Sequence, residues 1–299
     1  MNYRKLIVFL IFAFLPMIAV GLVMHFGGAS TVGGSTDPTS IDPLAAIKGF
    51  VFSAGAMFIP LLAVVFTQLI FKEPVFKGLG ISFRVNRWWW IGWLLMPVIA
   101  MLTMGVTLLI PGANWAPDSA TVQQALKALP EGFGVWGLIG ISLISGLIAG
   151  VTVNALFAFG EEIAWRGFLM KEFKGKKFLS AVLWIGIIWG FWHAPLILNG
   201  HNYPQHPVAG VFMMVILCIL LTAILMYFRK KSGSVIVAAI MHGTINAVAG
   251  VSAIVVTSSN DLLYGAEGVA GMIVLLVVIV CLYLYDKYIS KEKVFTTPL

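Results

Sequence analysis

Residues 134–173 of the chain read GVWGLIGISLISGLIAGVTVNALFAFGEEIAWRGFLMKEF, and this stretch decides the fold. It carries no charged side chain before Glu161, and a helix needs about 20 apolar residues to cross a bilayer. As one straight helix it would be about 60 Å long, roughly twice the thickness of the hydrocarbon core. We therefore expect a span that tilts strongly, breaks near residues 146–150, or continues past the interface, so that Glu161 lies inside the bundle.

The rest of the chain is similarly apolar. Of its 299 residues 60% are hydrophobic and only 10% are charged, whereas a soluble domain carries about 25% charged residues. We predict an all-α integral membrane protein, a single bundle of about eight transmembrane helices that forms one polytopic domain over residues 1–299. The candidate spans are 6–26, 46–71, 88–110, 136–160, 179–198, 208–228, 234–256 and 266–285.

The basic residues indicate the orientation of this bundle. Of the 19 Lys and Arg residues, all but Lys48 and Lys127 fall on one side of the predicted spans. The positive-inside rule then places both the N- and C-termini in the cytoplasm. Because these residues are dispersed over segment ends, they argue against a nucleic-acid partner. We expect an integral, multi-pass protein of a bacterial cell membrane, with an uncleaved first helix after Arg4 and Lys5.

The first polar motif is Glu161-Glu162-Ile-Ala-Trp-Arg166. Residues four apart share a helix face, so Glu162 and Arg166 are expected to pair. Glu161 points about 100° away and stays available as a proton acceptor. An alternative interpretation is a cluster of charges that reach the inner membrane boundary.

The second motif is Trp189-Gly-Phe-Trp-His193-Ala-Pro195. Pro195 has no N–H to donate to the carbonyl of residue 191, which predicts a kink or helix end beside His193 and space for water or substrate. An interfacial histidine in an aromatic belt is the alternative. His201 and His206, in the short loop that follows, are interpreted as parts of a solvated turn.

The third motif is His242-Gly-Thr-Ile-Asn246. His242 and Asn246 lie four residues apart and project from one helix face, where they form a convergent pair of hydrogen-bond donors. Such a pair suits an oxyanion hole. A hydrogen-bonded pair that holds two helices together is the alternative.

The three motifs together have the composition of a hydrolase site. An ionisable side chain at membrane depth costs at least ~2.5 kcal/mol, which favours a functional role. The chain has no Gly-x-Ser-x-Gly and no His-Glu-x-x-His. Cys218 and Cys281 lie in apolar runs without Cys-x-x-Cys spacing and are interpreted as small buried hydrophobic residues. Water is therefore the expected nucleophile.

The order Glu-Glu-x-x-x-Arg, aromatic-x-x-x-His, His-x-x-x-Asn over residues 161–246 resembles the CPBP intramembrane proteases, which include CAAX prenyl endopeptidases and bacterial Abi-type proteins. The resemblance implies a glutamic endopeptidase near the cytoplasmic leaflet, with a cavity that opens towards the cytoplasm or the inner leaflet, and a metal-independent enzyme is the leading hypothesis. By motif, Glu161 and His193 would activate water. His242 and Asn246 would bind the oxyanion, and Glu162 and Arg166 would support the site. The family pattern has phenylalanine where this chain has Trp189.

Several alternatives remain open on the sequence. Two histidines and a glutamate are a legitimate catalytic zinc set, so a zinc hydrolase is the second hypothesis. A proton or ion pathway in a transporter is the third, although the chain shows no inverted repeat. A non-catalytic membrane protein that binds peptides for immunity or regulation is the fourth. The expected partners are the lipid bilayer and a membrane-associated peptide or protein of unknown identity.

Overall fold

The computed structural model describes residues 2–27, 52, 54–258 and 260–299, and it is built almost entirely from helices. The helices are α1 (Tyr3–Gly27), α2 (Ile59–Ile70), α3 (Arg87–Leu109), α4 (Ala120–Lys127), α5 (Val135–Val151), α6 (Val153–Glu162), α7 (Met170–Glu172), α8 (Phe178–Trp192), α9 (Ala194–Ile197), α10 (Pro207–Ser232), α11 (Val235–Val248), α12 (Val251–Val255) and α13 (Val269–Tyr288). A π-helical segment, Ile163–Leu169, joins α6 to α7. Two short strands, β1 (Asn114–Trp115) and β2 (Val256–Thr257), pair antiparallel. The predicted all-α class is confirmed.

The long apolar helices agree with most of the predicted spans. Six helices, some of them continuous with a short neighbour, are long and apolar enough to cross a membrane, and the bent pair Val135–Val151 and Val153–Glu172 makes a seventh. The predicted span 46–71 lies partly outside the described residues, and its described part is the shorter apolar helix Ala54–Ile70. Exposed apolar side chains on α1, including Ile7, Leu15 and Leu22, are suited to contact with lipid. The total of eight spans stays a prediction.

The long apolar stretch breaks at Thr152. The axes on either side of this residue differ by 52°, and Thr152 Oγ1 donates a 2.7 Å hydrogen bond to the carbonyl of Ile148. Of the three geometries expected for this stretch, the break is the one found, just beyond the range 146–150. It turns α6 into the bundle, where only 2% of Glu161 is exposed.

Glycine residues allow the helices that carry the motifs to approach closely. A Cβ atom at Gly243 of α11 would lie 2.6 Å from the backbone nitrogen of Ala155 in α6. A Cβ atom at Gly190 of α8 would lie 2.5 Å from the Cα atom of Val215 in α10. Small residues at such crossings let helix backbones pack tightly in a membrane. The close packing brings all three motifs to the centre of the bundle.

The loops gather at two opposite ends of the bundle. At one end, called here the basic end, Lys5 Nζ lies 2.7 Å from carboxylate oxygens of both Glu73 and Glu172, and Lys230 donates to the carbonyl of Pro298. The opposite end contains β1 and β2 and two contacts that join its loops. These contacts are Tyr264 to Pro111 at 2.6 Å and His206 to Asp261 at 2.6 Å. The loops predicted to share a side therefore meet, while the cytoplasmic assignment of the basic end stays a prediction.

Candidate active site

Glu161 lies at the end of α6 and is held by tryptophans. Its Oε2 atom accepts a hydrogen bond of 2.6 Å from Trp189 Nε1 and a longer one of 3.3 Å from Trp165 Nε1. Indole nitrogens are donors only, so Glu161 Oε2 is the acceptor in both bonds. Arg166 makes no hydrogen bond to Glu161. The carboxylate is therefore oriented without being tied into an ion pair.

Glu162 and Arg166 form the ion pair that their spacing predicts. Arg166 NH1 donates to Glu162 Oε1 at 2.8 Å, and both side chains are fully buried. Arg166 NH2 also donates to Thr222 Oγ1 at 3.1 Å, and its guanidinium lies 4.1 Å from the centre of the Trp189 ring. Glu162 Oε1 also lies 2.9 Å from His242 Nδ1, across 80 residues of sequence. Glu162 thus connects the first motif to the third.

His193 lies at the helix end that Pro195 predicts. Helix α8 ends at Trp192 and the short α9 begins at Ala194. The Nδ1 atom lies 2.9 Å from the carbonyl of Trp189, which can only accept, so Nδ1 is the protonated nitrogen of the neutral ring. The Nε2 atom is then an acceptor, and it lies 4.0 Å from Glu161 Oε2.

Asn246 lies one turn beyond His242 on α11. Its side chain is exposed to a cavity that His242 also lines. Within the described part of the chain, no side-chain hydrogen bond of Asn246 is found, whereas Asn154 donates to the Gly243 carbonyl at 3.2 Å. The amide of Asn246 is therefore available to a ligand, and Asn154 joins α6 to α11.

The cavity brings the four predicted catalytic side chains together. Its volume is about 340 Å³, and Glu161, His193, His242 and Asn246 all line it. Apolar side chains supply much of the remaining wall, among them Ile99, Ala100, Met214, Leu217 and Leu221. Burial of the polar groups among apolar ones strengthens their electrostatic interactions with a ligand.

The cavity extends away from the basic end. Its lining continues to His201 and Asn202, in the loop between α9 and α10, and to Glu267, in the loop before α13. The positive-inside rule predicts that the basic end is cytoplasmic, and under that prediction this direction is extracytoplasmic. The side of the membrane to which the cavity opens stays a prediction, as does the orientation of the bundle.

Sequence reasoning missed several contributors to this site. The indole of Trp189, which stands where the family pattern has phenylalanine, donates to Glu161. His201 lines the cavity, where burial lowers its pKa to about 4, so the solvated-turn interpretation is wrong for this residue. Cys218 also lines the cavity, with its Sγ 4.0 Å from His193 Nδ1. No local pattern in the sequence marks these residues.

The side chains that line the cavity include two imidazoles and a carboxylate, which are common metal ligands. In the ranges that the structure describes, no group of three His, Cys, Asp or Glu side chains is placed to hold a metal ion. The Nδ1 atoms of His193 and His242 are occupied by Trp189 and Glu162, and both Nε2 atoms remain as potential ligands.

One known protein family matches the part of the chain that contains this site. Residues 141–248 match the family described as Type II CAAX prenyl endopeptidase Rce1-like. This region is similar to an Rce1-like CAAX protease domain. The match contains all three motifs and confirms the resemblance to the CPBP proteases. It supports intramembrane peptidase activity, a hydrolase function, in a multi-pass membrane protein. No curated protein matches the chain.

Proposed function

We propose that the protein is a glutamic intramembrane endopeptidase in which Glu161 and His193 activate a water molecule. The observation that carries the proposal is the 4.0 Å separation of Glu161 Oε2 and His193 Nε2. Both atoms are acceptors, and they are too far apart to bond to each other. A water molecule that donates one hydrogen to each would have its oxygen free to attack a carbonyl carbon.

His242 and Asn246 would stabilise the resulting oxyanion. The Asn246 amide is a donor that faces the cavity, and His242 becomes a donor at Nε2 when it is an imidazolium, since Nδ1 is directed at Glu162. As the water oxygen bonds to the carbonyl carbon, its proton passes to the Glu161–His193 pair. The Glu161–His193 pair then donates this proton to the leaving amine nitrogen as the carbon–nitrogen bond breaks.

Glu162 and Arg166 would position this machinery. Their buried pair fixes the π-helical segment next to Glu161, and Glu162 orients the His242 ring through Nδ1. Neither Glu162 nor Arg166 is among the side chains that line the cavity. We therefore assign both as positioning residues that act through Glu161, Trp189 and His242.

The substrate class follows from the environment of the site. An apolar cavity inside a membrane bundle suits a peptide segment that is itself membrane-associated. The family description adds prenylated CAAX peptides as candidates. A bacterial cell membrane stays the predicted location.

The proposal is tested with detergent-purified protein and a library of quenched peptides. Wild type, Glu161→Gln and Glu131→Gln are compared, the last as a control at an exposed loop carboxylate. We expect wild type and Glu131→Gln to cleave peptides, with and without a chelator, and Glu161→Gln to be inactive. Loss of cleavage with chelator would instead support the zinc alternative. Tight peptide binding without cleavage by wild type would support the non-catalytic alternative.

A further inference from the structure

Glu267 contributes a carboxylate to the wall of the cavity. It lies at the end of the cavity that is farthest from the basic end of the bundle. The residue lies in the loop before α13, and its side chain lines the same cavity as Glu161. The Tyr203 hydroxyl donates a 2.7 Å hydrogen bond to the backbone carbonyl of Glu267, which fixes the loop. The carboxylate has no ion-pair partner among the described residues. Burial raises its pKa, as expected for an acid that lacks a counter-charge.

The surroundings of Glu267 do not supply that counter-charge. His201, which lines the same part of the cavity, is neutral near pH 7 because burial lowers its pKa to about 4. Within the described ranges, no Lys or Arg side chain lines the cavity. Arg166 is fully buried behind the wall and paired with Glu162. The far end of the cavity is therefore an acidic pocket whose chemistry is complementary to a cation.

We propose that Glu267 is a specificity-determining residue that binds an ammonium or guanidinium group of a peptide substrate, which reaches Glu161 from the end opposite the basic loops. The cationic group is a Lys or Arg side chain or a free amino terminus. The proposal rests on the proposed peptidase function. Glu267 lies outside residues 141–248, which match the family, so the preference would belong to this chain rather than to the shared domain.

The shape of the cavity supports this assignment. One polypeptide in an extended conformation can place a scissile carbonyl at Glu161 and a flanking residue among His201, Asn202 and Glu267, because one continuous cavity contains both sets. The amide of Asn202 offers a further polar contact. The apolar wall between them suits uncharged residues next to the cleaved bond.

The first experiment measures cleavage of matched peptides. Each peptide of a cleaved sequence carries Lys, Glu or the uncharged norleucine at one scanned position, with a free or an acetylated amino terminus. For wild type we expect kcat/KM to favour a cation at one position by about tenfold. For Glu267→Gln we expect this ratio to fall close to one, and for Glu267→Lys we expect a preference for Glu at that position. An unchanged ratio in Glu267→Gln would overturn the proposal.

A second measurement separates this proposal from the peptidase proposal. Fluorescent Lys and norleucine peptides are titrated onto Glu161→Gln protein, with and without the additional Glu267→Gln change. Tighter binding of the Lys peptide that depends on Glu267 supports the pocket even if no peptide is cleaved. Equal binding of both peptides contradicts the pocket, whatever the activity of wild type. If wild type cleaves no peptide but the tighter binding of the Lys peptide depends on Glu267, only the peptidase function is contradicted.

Discussion

The indole Nε1 of Trp189 donates a 2.6 Å hydrogen bond to Oε2 of Glu161, and this bond joins the first and second motifs across 28 residues of sequence. The same oxygen faces His193 Nε2 at 4.0 Å. Trp189 therefore sets the orientation of the carboxylate that we propose as the base. The phenylalanine of the family pattern has no N–H, so another group would have to orient the glutamate in proteins that carry it.

Replacement of Trp189 by phenylalanine should impair catalysis more than binding. A hydrogen bond to a charged group is worth about 1.5–3 kcal/mol, so we expect Trp189→Phe to lower kcat about tenfold or more with a smaller change in KM. Trp93→Phe is the matched control, because Trp93 Nε1 donates to the Leu147 carbonyl, away from the cavity. Steady-state kinetics on one quenched peptide would distinguish the two, and equal kcat values would contradict the positioning role.

The Glu162–Arg166 pair should matter for stability. Removing one partner leaves a buried charge unpaired, which typically costs about 3–5 kcal/mol. We expect Glu162→Leu to lower the Tm in detergent clearly and Glu161→Gln to lower it little. In the double variant Glu162→Leu with Arg166→Leu, the decrease in Tm should be smaller than the sum of the decreases in the two single variants, because neither charge remains. Additive losses would show that the two residues are not coupled.

Asn246 and Asn154, which both line the cavity, should behave differently when each is replaced. Asn246→Ala removes a proposed oxyanion donor, so we expect kcat to fall about 100-fold or more with little change in Tm. Asn154→Ala removes the bond to the Gly243 carbonyl between α6 and α11, so we expect a lower Tm. Thermal unfolding and kinetics on both variants would test this, and a lower Tm with unchanged kcat in Asn246→Ala would indicate a structural role.

The direction of the cavity can be tested by labelling. In a background with Cys218→Ala and Cys281→Ala, single cysteines are introduced at exposed positions of the two ends, as Gln205→Cys and Lys174→Cys. We expect a membrane-impermeant maleimide to label Gln205→Cys on intact cells and Lys174→Cys only after lysis. The reverse pattern would place the basic end outside the cell and the far end of the cavity in the cytoplasm.

The proposed cation preference should weaken in acid. Burial raises the pKa of Glu267, so its charge is present above that raised value and is lost as the pH falls through it, earlier than for an exposed glutamate. Of the neighbouring groups, His201 has its pKa lowered to about 4 and the pKa of Tyr203 is raised, so both are neutral between about pH 5 and 8. We expect the Lys-to-norleucine ratio of kcat/KM to fall towards one as the pH is lowered. A ratio independent of pH would contradict a carboxylate as the binding group.

Local sequence patterns predict the fold class and several features of the candidate site. Composition predicts the helical membrane bundle, and the i, i+4 spacing predicts the Glu162–Arg166 pair found at 2.8 Å. The missing N–H of Pro195 predicts the helix end beside His193. Each of these depends on hydropathy, helix periodicity or one residue's chemistry, all of which act within a few turns of the chain.

Contacts between distant segments required the tertiary structure. The bonds from Trp189 to Glu161 and from His242 to Glu162, the direction of the cavity and the position of Glu267 depend on the relative rotation and depth of α6, α8, α11 and α13. Close packing at residues such as Gly190 and Gly243 sets that rotation. Helix periodicity fixes which side chains share a face but not which neighbour that face meets, so only packing decides where a motif points.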